Sequence, residues 1–384
     1  MQKFKVLWYN SVDIFHSERG LYTSLFQNKS GFNHIRHIIQ LFGSQISMMD
    51  RTETIRVPIN STILPFLKLP KLKNVNTNFE ELCEKRARLL LDKAIQTNRK
   101  LTIMYSGGID STLIMVSLLK VATDKELKEN VIVLLTQASI FENESFFKNH
   151  IIKKCNIESA FDFTHFLGNN KYIFVTGETG DQLFGSMVIR GFFTKYGKEF
   201  IFGKATYEKI EEVFLHTHFP LYGLTKKSVK KEDVSKIILP LFKIVENAPI
   251  EITSVYHFFW WLNFTLKWQS VYTRTLSYTD PKYEKTLKME DNYFAFFSDE
   301  EMQLWVMNNS DKLIRDDYKS YKYIAKDIIY KFDKNEDYWK NKVKWGSLAD
   351  VFMTRVPAKF IDDKMNFGRD DIPESIWNNE NSFV

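Results

Sequence analysis

Cysteine is scarce in this chain: only Cys83 and Cys155 occur among 384 residues, and no Cys-x-x-Cys pair is present. That excludes a disulfide framework and a cysteine-rich zinc cluster, and it fits a reducing compartment. Long apolar runs are also missing. The most apolar late stretch, Tyr256 to Leu262, is far shorter than the roughly 18 residues a membrane span needs, so it is expected to be a buried core helix. The first residues, Met1-Gln-Lys-Phe-Lys5, are not followed by an apolar core of secretory length, so the expected location is cytoplasmic. There is no internal repeat and no low-complexity tract. The formal net charge of +6 is too small to single out nucleic acid as a partner, and the basic run Lys226 to Lys231 reads as a solvated loop.

What is present is a well-mixed globular composition, 44% hydrophobic and 15% aromatic, which supports a packed core. Within it, Leu101 to Tyr105 reads as a buried strand and Thr112 to Lys120 as a helix, with Ser106-Gly107-Gly108-Ile109-Asp110-Ser111 between them. Glycine at such a junction allows positive φ and close backbone approach. The first amides of a helix lack intrahelical partners and carry the positive end of its dipole, so the turn is a pocket for an anion. Ser106, Ser111 and Thr112 add hydroxyl donors. Asp110 would repel a bare phosphate, so its presence implies a bridging cation, Mg²⁺, and hence a metal-bound polyphosphate. The spacing is neither that of the Walker loop nor that of the dinucleotide fingerprint.

A second strand-like run, Lys171 to Thr176, leads into Gly177-Glu178-Thr179-Gly180-Asp181-Gln182-Leu183-Phe184-Gly185. In a parallel sheet the strand ends lie side by side at the carboxyl edge, where ligands bind, so Asp110 and Asp181 can meet across one metal.

The first loop resembles the Ser-Gly-Gly-x-Asp-Ser loop of the ATP pyrophosphatase (PP-loop) superfamily. The second resembles the Gly-Glu-Gly-x-Asp-Glu-Leu-Phe-Gly segment of asparagine synthetases and related β-lactam synthetases. Upstream, Asn78 and Glu81 form a capping-box-like pattern before an amphipathic helix over Phe79 to Gln96, in the family's order of helix, strand, loop and helix. Downstream, Phe297-Ser298-Asp299 and Tyr321-Lys322-Tyr323-Ile324-Ala325-Lys326 are similar to the Phe-Leu-Asp and Lys-Tyr-x-Leu-Arg elements of those synthetases.

The resemblance implies an AMP- and pyrophosphate-forming amide ligase. ATP would activate a small-molecule carboxylate as an acyl-adenylate, and ammonia or an amine would then displace AMP. On this reading Ser106, Gly107, Gly108, Asp110, Ser111 and Thr112 hold ATP, and Asp110 and Asp181 hold Mg²⁺. Lys322 steadies the charge as pyrophosphate departs, and Glu178 contacts substrate or handles its proton.

The chain departs from the pattern at four places. Thr179 replaces a glycine, Gln182 replaces an acidic residue, Ser186 replaces a glycine, and Asn292 to Phe296 lacks the Glu, Arg and Pro that precede Phe-Leu-Asp in the family. Gln2 stands where the family's glutaminase has its nucleophilic cysteine, so glutamine hydrolysis by this N-terminus is not expected; the nitrogen would come as free ammonia, as ammonia from a separate supplying partner, or as a larger amine. Two other readings stay open: a PP-loop enzyme modifying a nucleic-acid base, and a nonenzymatic nucleotide-binding protein.

The expected fold is α/β, with a parallel-sheet PP-loop (adenine nucleotide α-hydrolase-like) core. Residues 1–77 carry short strand-like runs (Phe4 to Tyr9, Thr54 to Ile59, Ile63 to Leu67) and are expected to form a small β-rich domain. Residues 78–225 alternate strand and helix, as a parallel sheet requires. From 226 to 384 helical periodicity dominates, as in Glu300 to Met307 and Ser320 to Lys331, giving a helical region that completes the synthetase site; the tail after Pro357 is polar.

Overall fold

The structure, a computed structural model, describes residues 49–55, 65, 67–185, 188–218, 231–280, 282 and 289–342. Most of the expected N-terminal β-rich domain, Ser186, nearly all of the basic run at 226–231 and the tail after Pro357 lie outside the described residues. The chain divides into two compact units built from interleaved segments. One comprises Asn76–Gly180, Thr275–Met302 and the chain from Lys322; the other comprises the chain up to Val75, Asp181–Arg274 and Gln303–Tyr321.

The first unit is α/β. Its helix over Phe79–Gln96 begins where Asn78 places its side-chain oxygen 2.9 Å from the amide of Glu81, satisfying one of the helix's free donors. Five strands then form one parallel sheet: β1 (Lys100–Met104), β2 (Val131–Leu135), β3 (Asn156–Ser159), β4 (Tyr172–Thr176) and β5 (Tyr293–Ala295). Leu101 is level with Val131 on one side and Ile173 on the other. The central strands are near-continuous apolar runs because both faces are covered, while β3, at an edge, is polar and half-buried.

Spatial order across the sheet is β3-β2-β1-β4-β5. The chain therefore builds outward from β1 in one direction, then returns to the other side of β1 for β4 and β5. The reversal falls between β1 and β4, and in open parallel sheets the crevice beyond the carboxyl ends at such a point is where ligands bind. The fifth strand comes from Tyr293–Ala295, inside the stretch where the sequence reads as helical. The helix over Ile109–Val121 follows β1 and is buried around most of its circumference, with the helix over Tyr323–Asp333 packed against it.

Among its described residues the second unit is mainly helical. Val255–Leu262 forms a helix in which every residue is buried, as its apolar sequence requires, and it runs on through a π-turn at Asn263–Lys267 into Trp268–Arg274. Arg51 is buried beside it, its guanidinium 4.7 Å from the Trp268 ring centre and bonded to the carbonyls of Leu67, Lys68 and Phe264 and to Gln303. No helix among the described residues is long and apolar enough to cross a membrane.

Candidate functional site

The glycine turn after β1 is shaped by what surrounds it. Gly107 has φ +73°, and a Cβ there would stand 2.4 Å from the Ser139 carbonyl oxygen and 2.8 Å from Glu142 Cβ, so only glycine fits. Gly108 is the N-cap of the Ile109–Val121 helix and offers no side-chain cap, which leaves the first-turn amides without a side-chain acceptor.

The turn's hydroxyls brace it locally. Ser111 Oγ accepts from the Ser106 amide at 3.1 Å, and Ser106 Oγ accepts from the Gly108 amide at 3.3 Å. Thr112 is fully buried beneath the turn and donates to the Gly107 carbonyl at 3.3 Å. Tyr338, from the short helix over Glu336–Asn341, donates to that same carbonyl at 3.2 Å, and its burial pushes its phenol well above the ordinary tyrosine range, so it stays a neutral donor.

Asp110 lies in the first turn of the helix. One carboxylate oxygen pairs with the ammonium of Lys322; the other, Oδ1, is buried and has no hydrogen-bond partner. Lys322 is itself 1% exposed and adopts φ +58° immediately before the Tyr323–Asp333 helix, a left-handed conformation that a non-glycine residue holds only under constraint.

The turn after β4 lies against the same carboxylate. A Cβ on Gly180 would be 2.6 Å from Asp110 Cγ, and one on Gly177 would be 3.2 Å from Asp110 Cβ. Between them Thr179 has φ +68°, is 1% exposed, and carries a hydroxyl with no partner. The threonine that replaces glycine in the resembled pattern thus occupies a glycine-like conformation. Glu178 is half-buried, its amide 3.4 Å from Thr176 Oγ1.

The sheet-bearing unit therefore brings together Ser106 to Thr112, Gly177 to Gly180 and Lys322. Asp181 falls in the helical unit, where its Oδ1 accepts from the Tyr321 hydroxyl at 2.9 Å. Neighbouring side chains hold the carbonyls that follow it. Asn263 reaches those of Asp181 and Gly185, Trp260 that of Leu183, and Tyr256 that of Phe184. Gln182, in place of an acidic residue, is 2% exposed and pairs its amide with Asn263, so a neutral group suits its burial.

No sequence motif marks Glu142, Asn143, Tyr338 or Lys342. The last two sit in Glu336-Asp-Tyr-Trp-Lys-Asn-Lys342, which carries no motif; only its mixture of aromatic and basic residues marks it. Against known proteins, the chain matches no protein-family model and no curated protein sequence.

Proposed function

We propose that this chain is an ATP-dependent, AMP- and pyrophosphate-forming amide ligase of asparagine synthetase type, built on a PP-loop core. One observation carries the reading. Two glycine turns leave adjacent parallel strands at the point where the strand order reverses, and the second packs on the aspartate of the first, which also holds a buried lysine.

In this proposal the amides at Gly107 and Gly108, with Ser106, Ser111 and Thr112, seat the β,γ-pyrophosphate of ATP. Mg²⁺ arriving with the nucleotide would be held by Asp110 and would neutralise the polyphosphate; the unpartnered, buried carboxylate oxygen Oδ1 of Asp110 suits such a hard cation. A substrate carboxylate oxygen attacks the α-phosphorus and pyrophosphate leaves. Lys322 stabilises the charge that grows on the phosphate oxygens, a contribution for which losing one donor typically costs about 10²- to 10³-fold in rate. Ammonia or an amine then attacks the acyl carbon, AMP leaves with the carboxylate oxygen, and Glu178 takes the proton the nitrogen sheds.

The test is ATP–pyrophosphate exchange across a panel of carboxylic acids, with and without RNA. Exchange that depends on one acid and on magnesium is the expected result. Exchange only with RNA would favour base modification, and calorimetry showing no nucleotide uptake in magnesium buffer would refute the proposal.

A further inference from the structure

The glycine turn holds a peptide plane that could face either way. Gly107 and Gly108 share one peptide, and because a trans peptide is planar, its carbonyl and its N–H point in opposite directions. Glycine on both sides removes the Cβ atoms that would resist a flip of that plane. The orientation decides what the turn presents. With the Gly107 carbonyl inward, the Gly108 N–H looks out at an anion; with it outward, a partial negative charge takes that place.

Two hydroxyls hold the carbonyl inward. Thr112 Oγ1 donates to the Gly107 oxygen at 3.3 Å and the Tyr338 hydroxyl donates to it at 3.2 Å, the two hydroxyls standing 3.4 Å apart. Gly107, Thr112 and Tyr338 are buried while Gly108 is half-buried, so the acceptor side of the peptide faces the core. The Gly108 amide meets only a long contact, 3.3 Å, to the Ser106 hydroxyl, which a charged oxygen would displace. One donor already satisfies a buried carbonyl, and Thr112, from the helix that the turn opens, supplies it. The second donor comes from 231 residues along the chain and restricts the angle of a group that is already satisfied.

That second donor is itself fastened on several sides. Asn335 accepts from the Tyr338 amide at 2.9 Å, capping the helix over Glu336–Asn341, and its side-chain nitrogen donates to Ser145 Oγ at 2.7 Å. Trp339 stacks on Tyr330, ring centres 5.0 Å apart, and donates to Asp327 at 2.7 Å, both on the Tyr323–Asp333 helix. Lys342 pairs at 2.7 Å with Glu142, whose Cβ helps to wall in Gly107. A donor locked in this way can hold a backbone group at a fixed angle.

We infer that Tyr338 is a positioning residue for anion binding: with Thr112 it keeps the Gly107 carbonyl inward and thereby keeps the Gly108 N–H aimed at the anion that the turn receives. Tyr338 acts through the backbone and touches no ligand. The inference rests on the anion-binding part of the proposed function and on none of the adenylation chemistry.

Gly107-Gly108 is the only Gly-Gly pair in the sequence, so the full chain made with glycine labelled at its carbonyl carbon and its nitrogen gives one carbonyl-to-amide correlation in nuclear magnetic resonance, that of this peptide. The experiment titrates that chain with inorganic pyrophosphate in magnesium buffer and measures affinity in parallel by calorimetry. In the wild type the Gly108 amide proton should move downfield as pyrophosphate binds. Tyr338→Phe keeps the ring and loses the hydroxyl; it should weaken binding about three- to tenfold, the usual scale for one hydrogen bond, and shrink that movement. Asn335→Ala removes the helix cap and the Ser145 bond but keeps the hydroxyl, so it should lower the urea midpoint and bind pyrophosphate as the wild type does. Affinity that falls in step with the urea midpoint in both variants would make Tyr338 a packing residue only and overturn the inference. Unchanged affinity in Tyr338→Phe, with the Gly108 proton moving as before, would overturn it as well. Binding that depends on the Tyr338 hydroxyl in a chain without exchange activity would refute the ligase and leave the positioning role standing. No pyrophosphate uptake by the wild-type chain would refute the anion-binding turn and the positioning role together.

Discussion

Replacing Thr179 by glycine should make the sheet-bearing unit more stable. Thr179 holds φ +68°, a region where an L-residue's Cβ crowds the following carbonyl at a cost of about 1–2 kcal/mol. Its hydroxyl is buried without a partner, which adds about 1–3 kcal/mol. Against these stand roughly 0.5–1 kcal/mol for the extra freedom of glycine in the unfolded chain and about 0.8 kcal/mol for the buried methyl that is lost. The balance favours Thr179→Gly by about 2 kcal/mol. Thr179→Ala separates the two causes, since it removes the hydroxyl but keeps the crowded Cβ; it should gain only about 1 kcal/mol. The assay is native-state hydrogen exchange at the β4 amides, which reads this unit alone, with the urea midpoint as a second measure. Equal protection in the alanine and glycine variants would show that the positive φ costs no more than the roughly 0.5–1 kcal/mol that glycine's extra freedom offsets, and a glycine variant less stable than wild type would refute the reasoning altogether.

Three further outcomes are expected. Gly180→Ala drives a methyl into the Asp110 carboxylate, so it should abolish nucleotide uptake in calorimetry while the far-ultraviolet circular dichroism stays as in the wild type. Asp110→Ala strips a carboxylate from the buried ammonium of Lys322, at a cost of about 3 kcal/mol or more, and Asp110→Ala combined with Lys322→Met should recover most of it in urea melts; additive losses would mean the pair is not coupled. His257 is held near a pKa of about 4 by burial, and its Nδ1 accepts from the Thr253 amide at 3.3 Å, which fixes the neutral ring. Above the ordinary value of 6.5 the ring is neutral in both states; between 6.5 and about 4 only the unfolded chain takes up the proton, so stability falls as pH drops through that window, by up to about 3 kcal/mol, and His257→Gln should flatten the slope of the urea midpoint against pH.

Much of the frame was legible in the sequence because it is written in local chemistry. The cap at Asn78, the helix it opens, the apolar runs of β2 and β4, the buried run at Tyr256 to Leu262 and the glycine turn after β1 each depend on neighbours a few residues away. β5 was not legible: three residues, Tyr293–Ala295, become a strand only because β4 offers an open edge to a segment more than a hundred residues later. β3 was hidden by its polar edge composition. At the candidate site the turn residues could be named, but the left-handed backbones of Thr179 and Lys322 could not, since nothing in a threonine or a lysine announces positive φ. Tyr338 and Lys342 escaped notice because tertiary packing alone brings them to Gly107 and Glu142.

The interleaving of the two units has a consequence for how the chain matures. On the ribosome, β1 to β4 are complete once residue 176 has emerged, yet the strand that closes their edge and the lysine that pairs with Asp110 arrive only after the helical segment 181–274 has been made. Until then a parallel sheet with an unpaired apolar margin waits beside a carboxylate without its countercharge, the kind of intermediate that recruits chaperones or associates with its own kind. A truncation ending before residue 293 should be insoluble, and supplying the remaining segment as a separate polypeptide should rescue it.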